Sequence, residues 1–189
     1  MRNLNEYIAR EANREDQCTG RFWEGRFKSQ ALLDDKALIA CMAYVDLNPI
    51  RAKMATTPEA SDHTSIQLRI RKAIKLESPT QPAQLSPFLG NPRKDIPEGL
   101  HFSLEDYLNL VDWTGRIIRD DKRGAIPEKL PPILQRLSIT SKQWSALTQG
   151  FEKQFHQFVG EAENVKEAAC NMGYKRARGI SACRHLLSA

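Results

Sequence analysis

Met1, Leu4, Tyr7, Ile8 and Ala12 recur three or four residues apart, with Arg10, Glu11 and Arg14 largely opposite, so residues 1–14 read as an amphipathic helix. Glu15 to Gly20 is a polar loop. Phe22, Trp23, Phe27, Leu32 and Leu33 then mark residues 21–33 as one extended strand, with a bulge or turn at Gly25. A single strand makes no sheet. Its partner is expected from elsewhere in the chain, from a second copy, or from a missing N-terminal region.

Asp34 precedes Asp35-Lys36-Ala37-Leu38 and predicts an N-cap with an acid in the first turn. The helix it opens is expected to reach about Leu47, with Leu38, Cys41, Met42 and Val45 as its core stripe. Ala37, Cys41, Tyr44 and Asn48 line a neighbouring face. Pro49 disfavours helical geometry at Asn48, and Asn48-Pro49 reads as a cap opening a short second helix through Arg51 and Lys53. Thr56 to Asp62 is turn-like, and Thr64 to Leu76 reads as a short basic helix. Five prolines between Pro79 and Pro97 indicate an irregular linker. Helical periodicity resumes over 103–120, 131–159 and 162–188, with Ser103 and Ser141 as candidate starts. Trp144, Leu147, Phe151, Phe155 and Phe158 form one apolar stripe. The expected class is α+β, predominantly helical: a first region at 1–72, a proline-rich linker at 73–102 and a helical extension at 103–189.

Composition narrows the setting. No stretch approaches the roughly 20 apolar residues needed to span a bilayer, and the first residues lack the apolar core of a secretory signal, so a cytoplasmic protein is expected. Cys18, Cys41, Cys170 and Cys183 are scattered, with no Cys-x-x-Cys pair, and read as reduced thiols. The net charge of +5 is compatible with a polyanion partner. Its distribution says more. Arg69 to Lys75 holds four cations and no acid, and residues 164–189 hold Lys166, Lys175, Arg176, Arg178 and Arg184 against Glu167. Each run reads either as a solvated helix face or as a nucleic-acid contact.

A tyrosine that attacks a DNA phosphodiester forms a phosphotyrosine link and conserves the energy of the broken bond. Such chemistry needs a rigidly held tyrosine, a means of offsetting phosphoryl charge and cations to hold the strand. The run Arg21-Phe22-Trp23-Glu24-Gly25-Arg26-Phe27-Lys28-Ser29 is followed by Met42-Ala43-Tyr44-Val45-Asp46-Leu47-Asn48-Pro49-Ile50-Arg51-Ala52. Together the two resemble the signature of the single-tyrosine transposases that act on single-stranded DNA, in particular the branch associated with repetitive extragenic palindromes. The resemblance covers about residues 1–72 and would make this chain the C-terminal part of such a transposase, an incomplete remnant of its ferredoxin-like domain.

The resemblance implies Tyr44 as nucleophile and Asn48, one turn on, as a ligand of a divalent metal, Mg or Mn, in complete members. Asn48 also has a purely structural use as a helix cap. Trp23 with Arg21, Arg26 and Lys28 would form a platform for a single strand, the bases stacking and the cations following phosphates. The alternative is that Phe22, Trp23 and Phe27 are sheet core. Arg51 and Lys53 are the nearer phosphate candidates. The chain departs from the family in one respect. Complete members carry a His-hydrophobic-His pair upstream, whereas His63, His101, His156 and His185 are isolated and follow Tyr44. The expectation is therefore a transposase or truncated derivative that binds single-stranded or hairpin DNA, inactive alone, with a second transposase subunit as a possible partner. The alternative is a non-enzymatic DNA-binding regulator of the same descent. Gly173-Tyr174-Lys175-Arg176-Ala177-Arg178-Gly179 is a further candidate DNA contact, or a solvated helix terminus.

Overall fold

Asp34 caps its helix as its sequence predicts, and then does more. Its Oδ1 accepts the Ala37 amide at 2.9 Å, while Oδ2 accepts the Glu161 amide at 2.6 Å and the Asn164 side-chain amide at 3.0 Å. One carboxylate thus fixes a helix start and a segment 127 residues away. Gly160 is required there, because a Cβ would stand 2.6 Å from Asp34 Oδ2.

The computed structural model describes residues 2–25, 28–74, 81–90, 99–118 and 131–187. Among these, the elements in chain order are α1 (Arg2–Glu15), β1 (Ala31–Leu32), α2 (Asp35–Asp46), α3 (Asn48–Arg51), α4 (Ser65–Ala73), α5 (Leu104–Ile118), α6 (Pro132–Arg136), α7 (Ser141–Gln154), β2 (Phe158–Val159), α8 (Ala162–Asn171) and α9 (Ile180–Leu186). A short 3-10 turn, Pro58–Ala60, precedes α4. The protein is predominantly helical, with two short parallel strands among the described residues. Ala31 pairs with Phe158 and Leu32 with Val159. No described helix is long and apolar enough to cross a membrane.

The chain divides into two units, residues 1–30 and 31–189. In the first, α1 is amphipathic as expected, yet none of its described residues is buried: Leu4, Tyr7 and Ile8 are all exposed. The strand expected over 21–33 is reduced to its last part. Residues 22–25 are bends and 28–30 irregular, because backbone without a partner strand gains no ladder. Trp23 instead donates its indole N–H to the Asn5 carbonyl at 2.9 Å and meets Phe22 edge-on. Phe27 lies outside the described residues.

In the second unit α2 packs along α7, and α5 and α9 complete the cover. The buried face of α2 differs from the expected stripe. Ala37, Ile39, Ala40, Ala43 and Asp46 are buried, Leu38, Cys41 and Met42 are half-buried, and Val45 is exposed. An apolar helix offers several candidate stripes, and here the small residues let α7 approach. In α7, Thr140 is the cap rather than Ser141: it forms a capping box with Gln143. Trp144, Leu147 and Phe151 are buried on the helix, whereas Phe155 and Phe158 are buried beyond its end. Gly150, at φ −150, breaks the helical geometry and the stripe with it.

The expected linker has no independent existence where it is described. Phe88 and Leu100 form a bridge, and both are buried together with Phe102. Residues 75–80 and 91–98, which carry three of its five prolines, lie outside the described residues. The expected division at 72 and 102 is crossed by core contacts between α2, α5 and α7.

Candidate functional site

Tyr44 stands on the last turns of α2, Asn48 begins α3 and Arg51 ends it, so the three fall one turn apart with only Leu47 between the helices. Arg51 folds back along this face. Its Nη2 donates to the Tyr44 carbonyl and to Asn48 Oδ1, each at 2.8 Å, and its Nη1 donates to the Thr148 carbonyl of α7 at 2.5 Å. The guanidinium carbon lies 3.7 Å from the centre of the Tyr44 ring, which on another side meets Phe151 at 5.9 Å. Burial pushes the Arg51 pKa down, opposed by Tyr44 and Glu152. The cation nonetheless stays charged at any ordinary pH. Among the described residues the Tyr44 hydroxyl has no hydrogen-bond partner.

Asn48 does not cap α3. Leu47 occupies that position without a side-chain bond, and Asn48 is the first helical residue. The Asn48 oxygen is held by Arg51 instead, since a charge-assisted bond is the stronger one. That bond would compete with a divalent cation for the Asn48 oxygen. A ligand oxygen 2.8 Å from a guanidinium nitrogen faces a positive charge, and no group of three or more His, Cys, Asp or Glu gathers among the described residues. Lys53 is exposed and follows Arg51 with a positive φ of 58°.

Arg21, Trp23 and Lys28 belong to the first unit, and Arg26 lies outside the described residues. Arg21, Phe22 and Trp23 line an open hollow of about 440 Å³ with Ala9 and Glu24. Trp23 is 44% exposed, enough face for a base to stack on, although Glu24 adds an acid beside the cation.

Sequence reasoning passed over Asp46. It is 2% exposed and accepts from Ser65 Oγ at 2.5 Å, the Ile66 amide at 3.2 Å and the Tyr107 hydroxyl at 2.5 Å. Burial, then the nearby Asp46 charge and its hydrogen bond, push Tyr107 well above the usual tyrosine range. Arg69, from the basic run, is also buried: it donates to the Ser86 carbonyl at 3.1 Å and lies 4.6 Å over the Phe88 ring, which stacks on Tyr107. Arg69 is therefore core, whereas Arg71 is exposed. The signal present in the sequence is an acid at the end of the apolar run Ala37 to Val45 of α2.

Comparisons with family models, with curated proteins and with solved structures found no match.

Proposed function

We propose that this chain is a transposase, or a truncated transposase derivative, that binds single-stranded or hairpin DNA. On this reading residues 1–72 are an incomplete ferredoxin-like remnant and Tyr44 holds the nucleophile position. The observation that carries it is the cluster of Tyr44, Asn48 and Arg51, the two motif residues and a cation linked by short contacts. In the reaction the Tyr44 oxygen would lose its proton to water and form a bond to phosphorus as the phosphorus–oxygen bond to the leaving nucleotide breaks, the departing nucleotide oxygen taking up a proton from water. On this reading Arg51 would hold the phosphoryl oxygens; its named bonds use three of its five N–H groups, which leaves two for them.

A second reading draws on the same contacts. Arg51 bonded to two carbonyls and Asn48, and a Tyr44 ring set between Arg51 and Phe151, also describe a packed corner of a non-enzymatic DNA-binding regulator. The test is fluorescence anisotropy with labelled hairpin, single-stranded and duplex DNA at graded salt. Preference for the first two, weakened by salt, supports the reading. Equal affinity for duplex, or none for any DNA, overturns it.

A further inference from the structure

We infer that a second nucleic-acid site, for one unpaired nucleotide of a single strand, lies in the cleft between the segment His156–Phe158 and the loop joining α8 to α9. The cleft has a volume of about 440 Å³ and is lined by His156, Gln157, Phe158, Tyr174, Arg176, Ala177 and Arg178. Sites for small ligands start near 300 Å³, so one nucleotide fits.

The walls are held by the chain itself. Gly173 and Gly179, both at positive φ, turn the loop out of α8 and into α9. Gly179 also lies against His156, where a Cβ would come 2.8 Å from the imidazole Cδ2, so a glycine is what lets the walls approach. Tyr174 rests edge-on against the buried Phe158 ring at 6.2 Å, and its hydroxyl accepts from Gln157 Nε2 at 3.2 Å. The tyrosine is thereby fixed at one edge and at its tip while remaining 45% exposed.

The chemistry of the lining selects the ligand. Residues 172–189 contain Lys175, Arg176, Arg178 and Arg184 and no acid. Among the described residues no carboxylate pairs with Arg176 or Arg178, although other exposed cations of the chain are paired, Lys166 with Glu163 and Arg116 with Asp112. Two adjacent arginines match a phosphodiester, and a rigid exposed aromatic ring matches the face of an unstacked base. Donors from Gln157 and His156 lie where a base edge or sugar would be met. A duplex keeps its base faces stacked and offers the ring nothing, which is why the site takes a single strand.

The inference rests on the nucleic-acid reading but not on Tyr44. It is tested with the full chain by anisotropy, using labelled dT and rU oligomers of eight nucleotides, with heparin as a polyanion without bases. Arg176→Ala combined with Arg178→Ala is expected to weaken oligomer binding by about tenfold or more, and Tyr174→Ala by about tenfold, with Tyr174→Phe near the parent because the ring remains. Heparin binding is expected to fall in the arginine variant and to stay unchanged in Tyr174→Ala. The dT and rU arms tell DNA from RNA. Full oligomer affinity in the arginine variant overturns the site, and so does Tyr174→Ala that binds dT and rU as the parent does. Oligomer binding lost here while Lys53→Ala leaves hairpin binding intact supports this cleft and counts against the Tyr44 site as the principal contact.

Discussion

Arg51 lies over the ring of Tyr44 at 3.7 Å and simultaneously bonds the Tyr44 backbone carbonyl, so a single side chain covers the tyrosine and ties it to α7 through Thr148. The pair is a structural joint as well as a candidate site, and the two roles separate by mutation.

Arg51→Ala removes a cation–ring contact and three hydrogen bonds, two of them to partly buried carbonyls, and is expected to lower stability by about 2 kcal/mol. Tyr44→Phe keeps the ring and is expected to stay within about 0.5 kcal/mol of the parent. Urea unfolding of both variants measures this. A neutral Arg51→Ala would show that the joint contributes nothing to the fold.

Lys53→Ala is the cleaner probe of DNA contact, because Lys53 is exposed and follows the α3 end without entering the core. Loss of one phosphate contact is expected to weaken hairpin binding modestly and to reduce the slope of log affinity against log salt by about one. An unaltered slope would remove Lys53 from the interface.

The chain alone is expected not to cleave DNA, although Tyr44 is present. The His pair that complete single-tyrosine transposases carry is not in this sequence, and Asn48 is engaged by Arg51. Losing the offset of phosphoryl charge costs several kcal/mol, and about 1.4 kcal/mol is already tenfold in rate. Hairpin DNA incubated with the protein and Mg²⁺ or Mn²⁺ is resolved on a denaturing gel. A covalent adduct that disappears in Tyr44→Phe would show that the site is complete after all.

Tyr107 gives the fold a pH dependence at the alkaline end. Its folded pKa is raised above its unfolded value, so the stability it contributes is fully present below about pH 10 and is drawn down as pH climbs from there toward the folded pKa. Stability of the parent relative to Tyr107→Phe is therefore expected to fall above about pH 10 and to be flat between about 6 and 9. A constant difference across the range would mean that the Tyr107 hydroxyl is not buried beside Asp46 in solution.

Local signals carried over from sequence to structure unevenly: the cap at Asp34 holds, whereas Asn48 does not cap α3 and Thr140 takes the place expected of Ser141. Asp34 caps its helix because a short side-chain acceptor before a helical run meets the free amides of the first turn. What failed was the choice among faces. In α2, apolar on nearly all sides, only the position of α7 selects Ala40 and Ala43 over Met42 and Val45. Periodicity likewise joined Phe155 and Phe158 to a helix that Gly150 had already disturbed. The basic run at Arg69 read as surface because nothing local reveals that Asp46 and Tyr107 wait for it in the core. At the candidate site Tyr44 and Asn48 could be placed by motif, but their engagement by Arg51 is a matter of three-dimensional geometry.

The clip between Asp34 and the start of α8 sets the order in which this molecule can come into being. Its two halves are separated by 127 residues, and the β1–β2 ladder spans the same gap. Closing so long a loop costs chain entropy before any contact repays it, which slows folding. During synthesis α2 emerges early but has no α7 to cover Ala40 and Ala43 until more than a hundred further residues have followed. The second unit therefore folds late, as one event, with its apolar helix waiting in the nascent chain.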